Sequence, residues 1–370
     1  MCEVLITNIG LINLRSIKFI QFKPCKSLNF ILGHNNAGKT TILESISLAS
    51  SSKSFKGVDL DSLINNQSKS FQISIKSSQN TLKSTITIEK HLSSAKKLLI
   101  NEKPSSTKQS LLLLPVLSMN FGYQNIFTQP SEHRRNFLDW GVFHVEHEHH
   151  SILKDYNRVL VSRNKALKTK NYDVISPWTN KLIELAMKIS KRREDYFNTL
   201  HQSFSGILTR VNKESTGLYQ DIAEARLSFF KGWEGDLSDV LDSNLNRDIA
   251  LGYTSVGPHR AELISTTASG AIKDMASMSS QVILNLCLSL AQSETFHVKH
   301  KYKPILLMDD LFFGIDNKNL EVVVKLLNES EQQCFLSAPN SFKDRVINMR
   351  VKPKGTIYQL DKDIIRADED

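Results

Sequence analysis

Gly33-His34-Asn35-Asn36-Ala37-Gly38-Lys39-Thr40 is the stretch on which the reading of this chain turns. It matches the phosphate-loop pattern Gly-x-x-x-x-Gly-Lys-Thr in full. Before it, Leu28-Asn29-Phe30-Ile31-Leu32 has the composition of a strand, and after it Ile42, Leu43, Ile46 and Ala49 recur at helical spacing. Glycine lets the backbone wrap tightly enough for successive N–H groups to face a phosphate. In that setting Lys39 neutralises the β and γ phosphates, Thr40 offers its hydroxyl to Mg²⁺, and Thr41 continues the helix start. Residues 33–41 are therefore expected to bind a nucleoside triphosphate.

Such a site needs a carboxylate at the end of a neighbouring strand. Pro304-Ile305-Leu306-Leu307-Met308-Asp309-Asp310 supplies it: an apolar run reads as a buried strand, with the acids at its C-terminal end, where ligands bind in α/β sheets. Asp309 is expected to hold Mg²⁺ through water, and Asp310 to polarise the attacking water. About 270 residues separate Lys39 from Asp309. One half of the site thus lies at each end of the chain, the plan of SMC-like heads. The predicted fold is α/β, an ABC/SMC-like split ATPase head with an inserted helical arm. The expected divisions are 1–120 (P-loop half), 121–225 (helical arm) and 226–370 (signature and acidic strand).

The pattern between these motifs agrees with that plan. Val4-Leu5-Ile6 with Ile9, Leu11 and Ile12 reads as a first strand, and Phe19–Phe22 as another. Residues 51–110 are rich in Ser and Lys, but 71–75 and 85–88 alternate apolar and polar, which predicts antiparallel edge strands with one exposed face. Ser176-Pro177 reads as a helix start, followed by Leu182, Ala186, Ile189, Tyr196, Leu200, Phe204, Ile207 and Val211 at three- and four-residue steps, which predicts a helix of about 35 residues. After a strand at Leu227–Phe230, the last hundred residues alternate helix and strand.

The formal net charge of +9 favours a polyanionic partner such as nucleic acid. Cys2, Cys25, Cys287 and Cys334 form no CxxC pair, so neither a zinc site nor a disulfide framework is expected. The apolar run Leu111–Leu117 contains Pro115 and is too short for a bilayer, so a soluble cytoplasmic protein without membrane contact is expected. His144, His147, His149 and His150 lack HExxH spacing and read as a solvated helix entry rather than a metal site. Lys188, Lys191, Arg192 and Arg193 read either as a track for DNA phosphates or as the polar face of the long helix.

In order along residues 1 to about 337, the chain resembles the RecF family. The resemblance rests on Asn13-Leu14-Arg15, the P-loop with Leu43-Glu44, and Ser54-Phe55. It continues through Pro130-Ser131-Glu132-x-Arg134-Arg135-x-Phe137-Leu138-Asp139-Trp140-Gly141, Phe143-His144-Val145, Gly232-Trp233 and Arg247-Asp248. Gly252-Tyr253-Thr254, Val256-Gly257-Pro258-His259-Arg260, and Asp309-Asp310 with Asp316 complete it. It implies an ATP-dependent DNA-binding protein that dimerises around two ATP molecules. Such proteins bind duplex DNA near single-strand gaps and help RecO and RecR load the RecA recombinase. It further implies that Arg15 contributes to the nucleotide site, while Ser277 and Asp316 act across the dimer. Arg134, Arg135, His259 and Arg260 then either touch DNA or brace the lobes.

The chain departs from that family at several points. The family signature Ser-x-Gly-Gln-Gln followed by a basic residue is here Ser277-Met278-Ser279-Ser280-Gln281-Val282. A side chain at 279 obstructs close backbone approach to a phosphate, or else Ser279 bonds the nucleotide itself. Met119-Asn120-Phe121-Gly122, Phe312-Phe313-Gly314-Ile315-Asp316 and Ser337-Ala338-Pro339-Asn340 also differ from the usual pattern. Two readings stand: a slow, DNA-stimulated ATPase, or an ATP- and DNA-binding scaffold with negligible hydrolysis. A small-molecule phosphotransferase is a third, opposed by the split motifs and the basic charge.

Overall fold

The computed structural model describes residues 3–54, 57–79, 82–120, 126–214, 222, 224–267, 270–310, 315–348 and 352–367. Phe55, Phe121, Gly122 and Phe312-Phe313-Gly314 lie outside the described residues. The chain forms two units: one of residues 1–125, 213–216 and 277–370, the other of 126–212 and 217–276.

The first unit opens with strands β1 (Val4–Leu14) and β2 (Ile17–Phe22), then β3 (Leu28–Gly33), which is buried along its whole length, and helix α1 (Lys39–Ser51). Strands β4 (Ser70–Gln79), β5 (Leu82–His91), β6 (Lys97–Ile100) and β7 (Lys103–Pro104) follow, then helix α2 (Thr107–Leu113) and strand β8 (Val116–Asn120). An antiparallel sheet takes the order β2-β1-β4-β5-β6-β7. β4 and β5 are therefore interior strands, not the edge strands that the alternation suggested. Alternation reports one wet face, which an interior strand of an open antiparallel sheet also has.

The second unit holds helices α3 (Ser131–Val145), α4 (His149–Thr169) and α5 (Tyr172–Glu214). At 43 residues, α5 begins earlier than Ser176-Pro177 predicts and carries Pro177 inside it. Asn171 is the cap: its Oδ1 accepts from Asp173 N at 3.0 Å, and its carbonyl accepts from the amides of Val174 and Ile175. Ile175 packs on Ala166 and Leu167, so the first turn is held by burial, and Pro177 forfeits one backbone bond. Strand β9 (Arg226–Phe230), helices α6 (Leu237–Ser243) and α7 (Leu245–Leu251), strands β10 (Glu262–Thr267) and β11 (Gly270–Ala271) and helix α8 (Ile272–Met275) complete this unit. Leu182, Leu185, Ala186 and Ile189 of α5 pack on Tyr156 and Val159 of α4 and on Trp233 and Leu237.

The chain returns to the first unit with helix α9 (Met278–His300), strand β12 (Ile305–Asp309), helix α10 (Asn317–Ser330) and strand β13 (Cys334–Pro339). Helix α11 (Lys343–Ile347) and the hairpin β14 (Gly355–Asp361) and β15 (Ile364–Ala367) finish it. These join β3 and β8 in a second sheet, order β15-β14-β3-β13-β12-β8, with every pairing parallel except the β14–β15 hairpin. One apolar core runs through α1 and both sheets, with Ile42, Leu43, Ile46 and Leu48 fully buried. Each such side chain contributes on the order of 1.5–3 kcal/mol. That core fixes the start of α1 at the C-terminal end of β3. No helix among the described residues is long and apolar enough to cross a membrane.

Candidate nucleotide-binding site

Gly33 ends β3 where a Cβ would stand 2.7 Å from the carbonyl oxygen of Leu360, so the loop can start there only without a side chain. Gly38 caps α1 at φ 103°, the left-handed region that glycine enters freely. His34, Asn35 and Asn36 are exposed, while Ala37, Gly38 and Lys39 are buried. Thr41 is also buried. The first amides of a helix have no intrahelical partner, so the start of α1 offers donors and a positive dipole end.

Lys39 lies 9% exposed and folds back, its Nζ donating to the carbonyls of Gly33 (3.0 Å) and His34 (2.9 Å). Burial lowers its pKa from the usual lysine value, and the negative charges of Asp310 and Asp309 oppose that shift. The result is a desolvated cation held over its own loop, which gains by meeting phosphate oxygens.

Asp309 ends β12, which is separated from β3 by β13 alone. Its Oδ1 accepts from Thr40 Oγ1 at 3.0 Å and from Ser337 Oγ at 2.5 Å. Asp310 follows at φ 56°, and its N–H donates to Ser337 Oγ at 3.1 Å. Ser337 of β13 thus touches both acidic positions, a role the sequence did not disclose. Thr40 and Asp309 present two hard oxygens side by side, and that donor set fits Mg²⁺, which takes few protein ligands and completes its shell with phosphate and water.

The remaining predicted residues are engaged locally. Arg15, at the β1–β2 turn, pairs with the buried Glu44 at 2.8 Å. The turn packs on the loop, with Ile17 and Ser16 bordering Gly38. Ser277 caps α9, accepting from Ser280 N at 3.1 Å, and its hydroxyl lies 2.9 Å from that of Ser280. The departure at 280 therefore has a structural partner. Asp316 caps α10 by accepting from Asn319 N and Nδ2, each at 2.8 Å.

In the second unit, two expectations are corrected. His149 is fully buried, with Nε2 2.8 Å from Asp139 Oδ1, and His144 is buried too, so these two are not solvated, while His147 and His150 are exposed as expected. Arg193 is also buried and binds Asp139 with both Nε and Nη2 at 2.8 Å, so it lies on neither an exposed DNA track nor a polar face. Arg192 faces Glu146 and Glu148, and Lys188 pairs with Glu184. Arg134 grips Glu262, with Nη2 at 3.1 Å, and Arg135 donates to the Ala261 carbonyl at 3.1 Å, tying α3 to the start of β10.

A P-loop strand and an acidic strand from opposite ends of the chain, nearly adjacent in one parallel sheet, define a split ATPase head of the SMC class. The family described as RecF/RecN/SMC N terminal domain matches residues 5–358. A DNA replication and repair protein RecF of Pseudoalteromonas translucida (strain TAC 125) is 32% identical over 339 residues, covering 90% of this chain and 91% of that protein. Its counterpart in Shewanella amazonensis (strain ATCC BAA-1098 / SB2B) is 30% identical, covering 88% and 89%. A solved structure of the recombination mediator protein RecF with ATP, in the RecFOR pathway, matches with TM-score 0.80 at 23% identity, covering 99% of this chain and 100% of that one. An Smc head domain from Pyrococcus furiosus matches at TM-score 0.56 and 14% identity, covering 99% and 96%. The chain belongs to the RecF family of DNA replication and repair proteins.

Proposed function

We propose that this chain binds ATP with Mg²⁺ and closes as an ATP-dependent homodimer on duplex DNA near single-strand gaps. In the cytoplasm it supports RecA loading together with RecO and RecR, and slow hydrolysis releases it. The observation that carries the reading is the Thr40–Asp309 contact, which joins the two ends of the chain beside the P-loop.

Each residue has a separable task. Amides of Gly33 to Thr41 line the phosphates, with His34, Asn35, Asn36 and Ala37 forming the loop between the glycines. Lys39 exchanges its two carbonyl partners for phosphate oxygens and offsets their charge. Thr40 and Asp309 would hold Mg²⁺, which would neutralise phosphate charge when bound. Asp310 orients and polarises the attacking water. Ser337 restrains the Asp309 carboxylate and the Asp310 backbone together. Arg15 lends positive charge from the adjoining turn. Ser277 and Asp316, both at helix starts, face the nucleotide of a second copy. Positioning and charge stabilisation carry the chemistry, without a covalent intermediate.

The scaffold reading, with negligible turnover, is not favoured by the family comparisons. Size-exclusion chromatography with Mg-ATP tests the closure. The wild type is expected to shift to a dimer, and Lys39→Ala is expected not to. An identical dimer for both proteins contradicts it. Salt-independent or absent DNA binding would point instead to a small-molecule phosphotransferase.

A further inference from the structure

The second unit contains a cleft of about 590 Å³ walled by β9, the turn after it, α7 and residues 253–260. Its floor is rigid. Gly232, at φ 104°, lies where a Cβ would be 2.1 Å from the Gly257 carbonyl oxygen. Trp233 is buried beside it. His259 Nε2 lies 3.0 Å from the Thr254 carbonyl, which can only accept, so the proton sits on Nε2, and Nδ1 accepts from the Tyr156 hydroxyl at 2.7 Å. Beneath these, Arg163 donates to Asp248 (2.9 Å) and to Thr254 Oγ1 (2.7 Å), and Asp248 accepts from Ser255 N at 3.0 Å. The backbone from 253 to 260 is thus pinned at both ends.

The side chains facing this cleft are not used up by that network. Tyr253 is 41% exposed although its neighbour Thr254 is buried. The Arg260 guanidinium stands 5.5 Å from the Tyr253 ring centroid. Arg247 lines the cleft from α7 and is exposed. Ser255 lines the cleft beside them, its amide held by Asp248.

A stacking face backed by a guanidinium, with a second exposed guanidinium across the cleft, suits a nucleotide. The base has a π face for Tyr253, and the phosphate has oxygens for Arg247 and Arg260. Glu234, also in the wall, can accept from a base N–H, the N3–H of thymine included, and repels phosphate. A paired base in a duplex has both faces already stacked, so the ligand is unpaired. We propose that this cleft takes one unpaired nucleotide of a DNA strand, the feature that distinguishes a gap from continuous duplex. The inference rests on the reading of the chain as a DNA-binding protein, but it does not require ATP.

The test uses the full chain, with fluorescence anisotropy on a short single-stranded oligodeoxythymidylate and on continuous duplex. Tyr253→Ala is expected to weaken single-strand binding about tenfold, with duplex binding unchanged within about twofold. Tyr253→Phe keeps the stacking face and should bind as the wild type does. Arg247→Gln should reduce the salt slope on the single strand by about 0.7, the share of one phosphate. Lys39→Ala should retain single-strand binding, which separates this cleft from the ATP site. Unchanged single-strand binding in Tyr253→Ala, or a wild type that binds duplex but no single strand, overturns the cleft and leaves the proposed function standing. A wild type that binds no DNA at all removes both. A polyglutamate peptide that binds through Tyr253 while the oligonucleotide does not would also overturn the proposal, making the cleft a protein-docking site.

Discussion

Thr40 Oγ1 and Asp309 Oδ1 lie 3.0 Å apart although 269 residues separate them in the chain. The contact exists because β3 and β12 flank β13 in one parallel sheet, which brings their C-terminal ends together. Ser337 of β13, lying between them, donates to the same Asp309 oxygen.

Replacing Asp309 by Asn removes the negative charge while leaving an oxygen for both hydroxyls. Phosphate release is expected to fall about 10²–10³-fold, the scale of a lost charge-stabilising group. Ser337→Ala should lower turnover about ten- to hundredfold, with ATP affinity nearly unchanged, because Ser337 holds the Asp309 carboxylate and the Asp310 amide. Equilibrium binding of ATP beside single-turnover hydrolysis separates the two effects.

Asp248 and Arg163 are both fully buried and paired at 2.9 Å. Asp248→Ala leaves a buried guanidinium without its counter-charge and also strips the acceptor from Ser255 N. The expected loss is about 3–5 kcal/mol in the second unit, read by urea unfolding. All three tryptophans, Trp140, Trp178 and Trp233, lie in that unit, so their fluorescence reports on it directly.

His259 supplies a pH dependence. Burial lowers its pKa to about 4 from 6.5; the nearby Arg260 and Arg135 add to the shift, and the bond to the Thr254 carbonyl and the charge of Asp248 oppose it. The unfolded chain therefore binds the proton more readily than the folded one. The stability that neutral His259 contributes is complete above pH 6.5 and is lost as the pH falls from 6.5 towards about 4. Urea midpoints should drop over that window, and His259→Gln should flatten the drop by up to one proton's slope, about 1.4 kcal/mol per pH unit.

Much of this architecture was legible in the sequence because its signals are local. The P-loop is eight consecutive residues, and Ile305–Met308 with Asp309 after it is a short apolar run ended by an acid. Hydrophobic periodicity located β3, α1 and β12 and read the last hundred residues as alternating helix and strand. What escaped depended on long-range geometry. Nothing near Ser337 marks its hydroxyl as the one that meets Asp309. The cap of α5 came from Asn171 and not from Ser176, because burial of Ile175 outweighs the bond lost at Pro177. Arg193 and His149 looked like surface residues until Asp139, 54 and 10 residues away, proved to hold both.

The most direct measurement of the central claim is phosphate release from Mg-ATP with and without gapped duplex DNA, run beside Lys39→Ala. The split-head account predicts slow release by the wild type that rises when gapped DNA is added, and no release above background from Lys39→Ala in either condition. Equal release from the two proteins, or a wild type that neither hydrolyses ATP nor responds to gapped DNA, would contradict it.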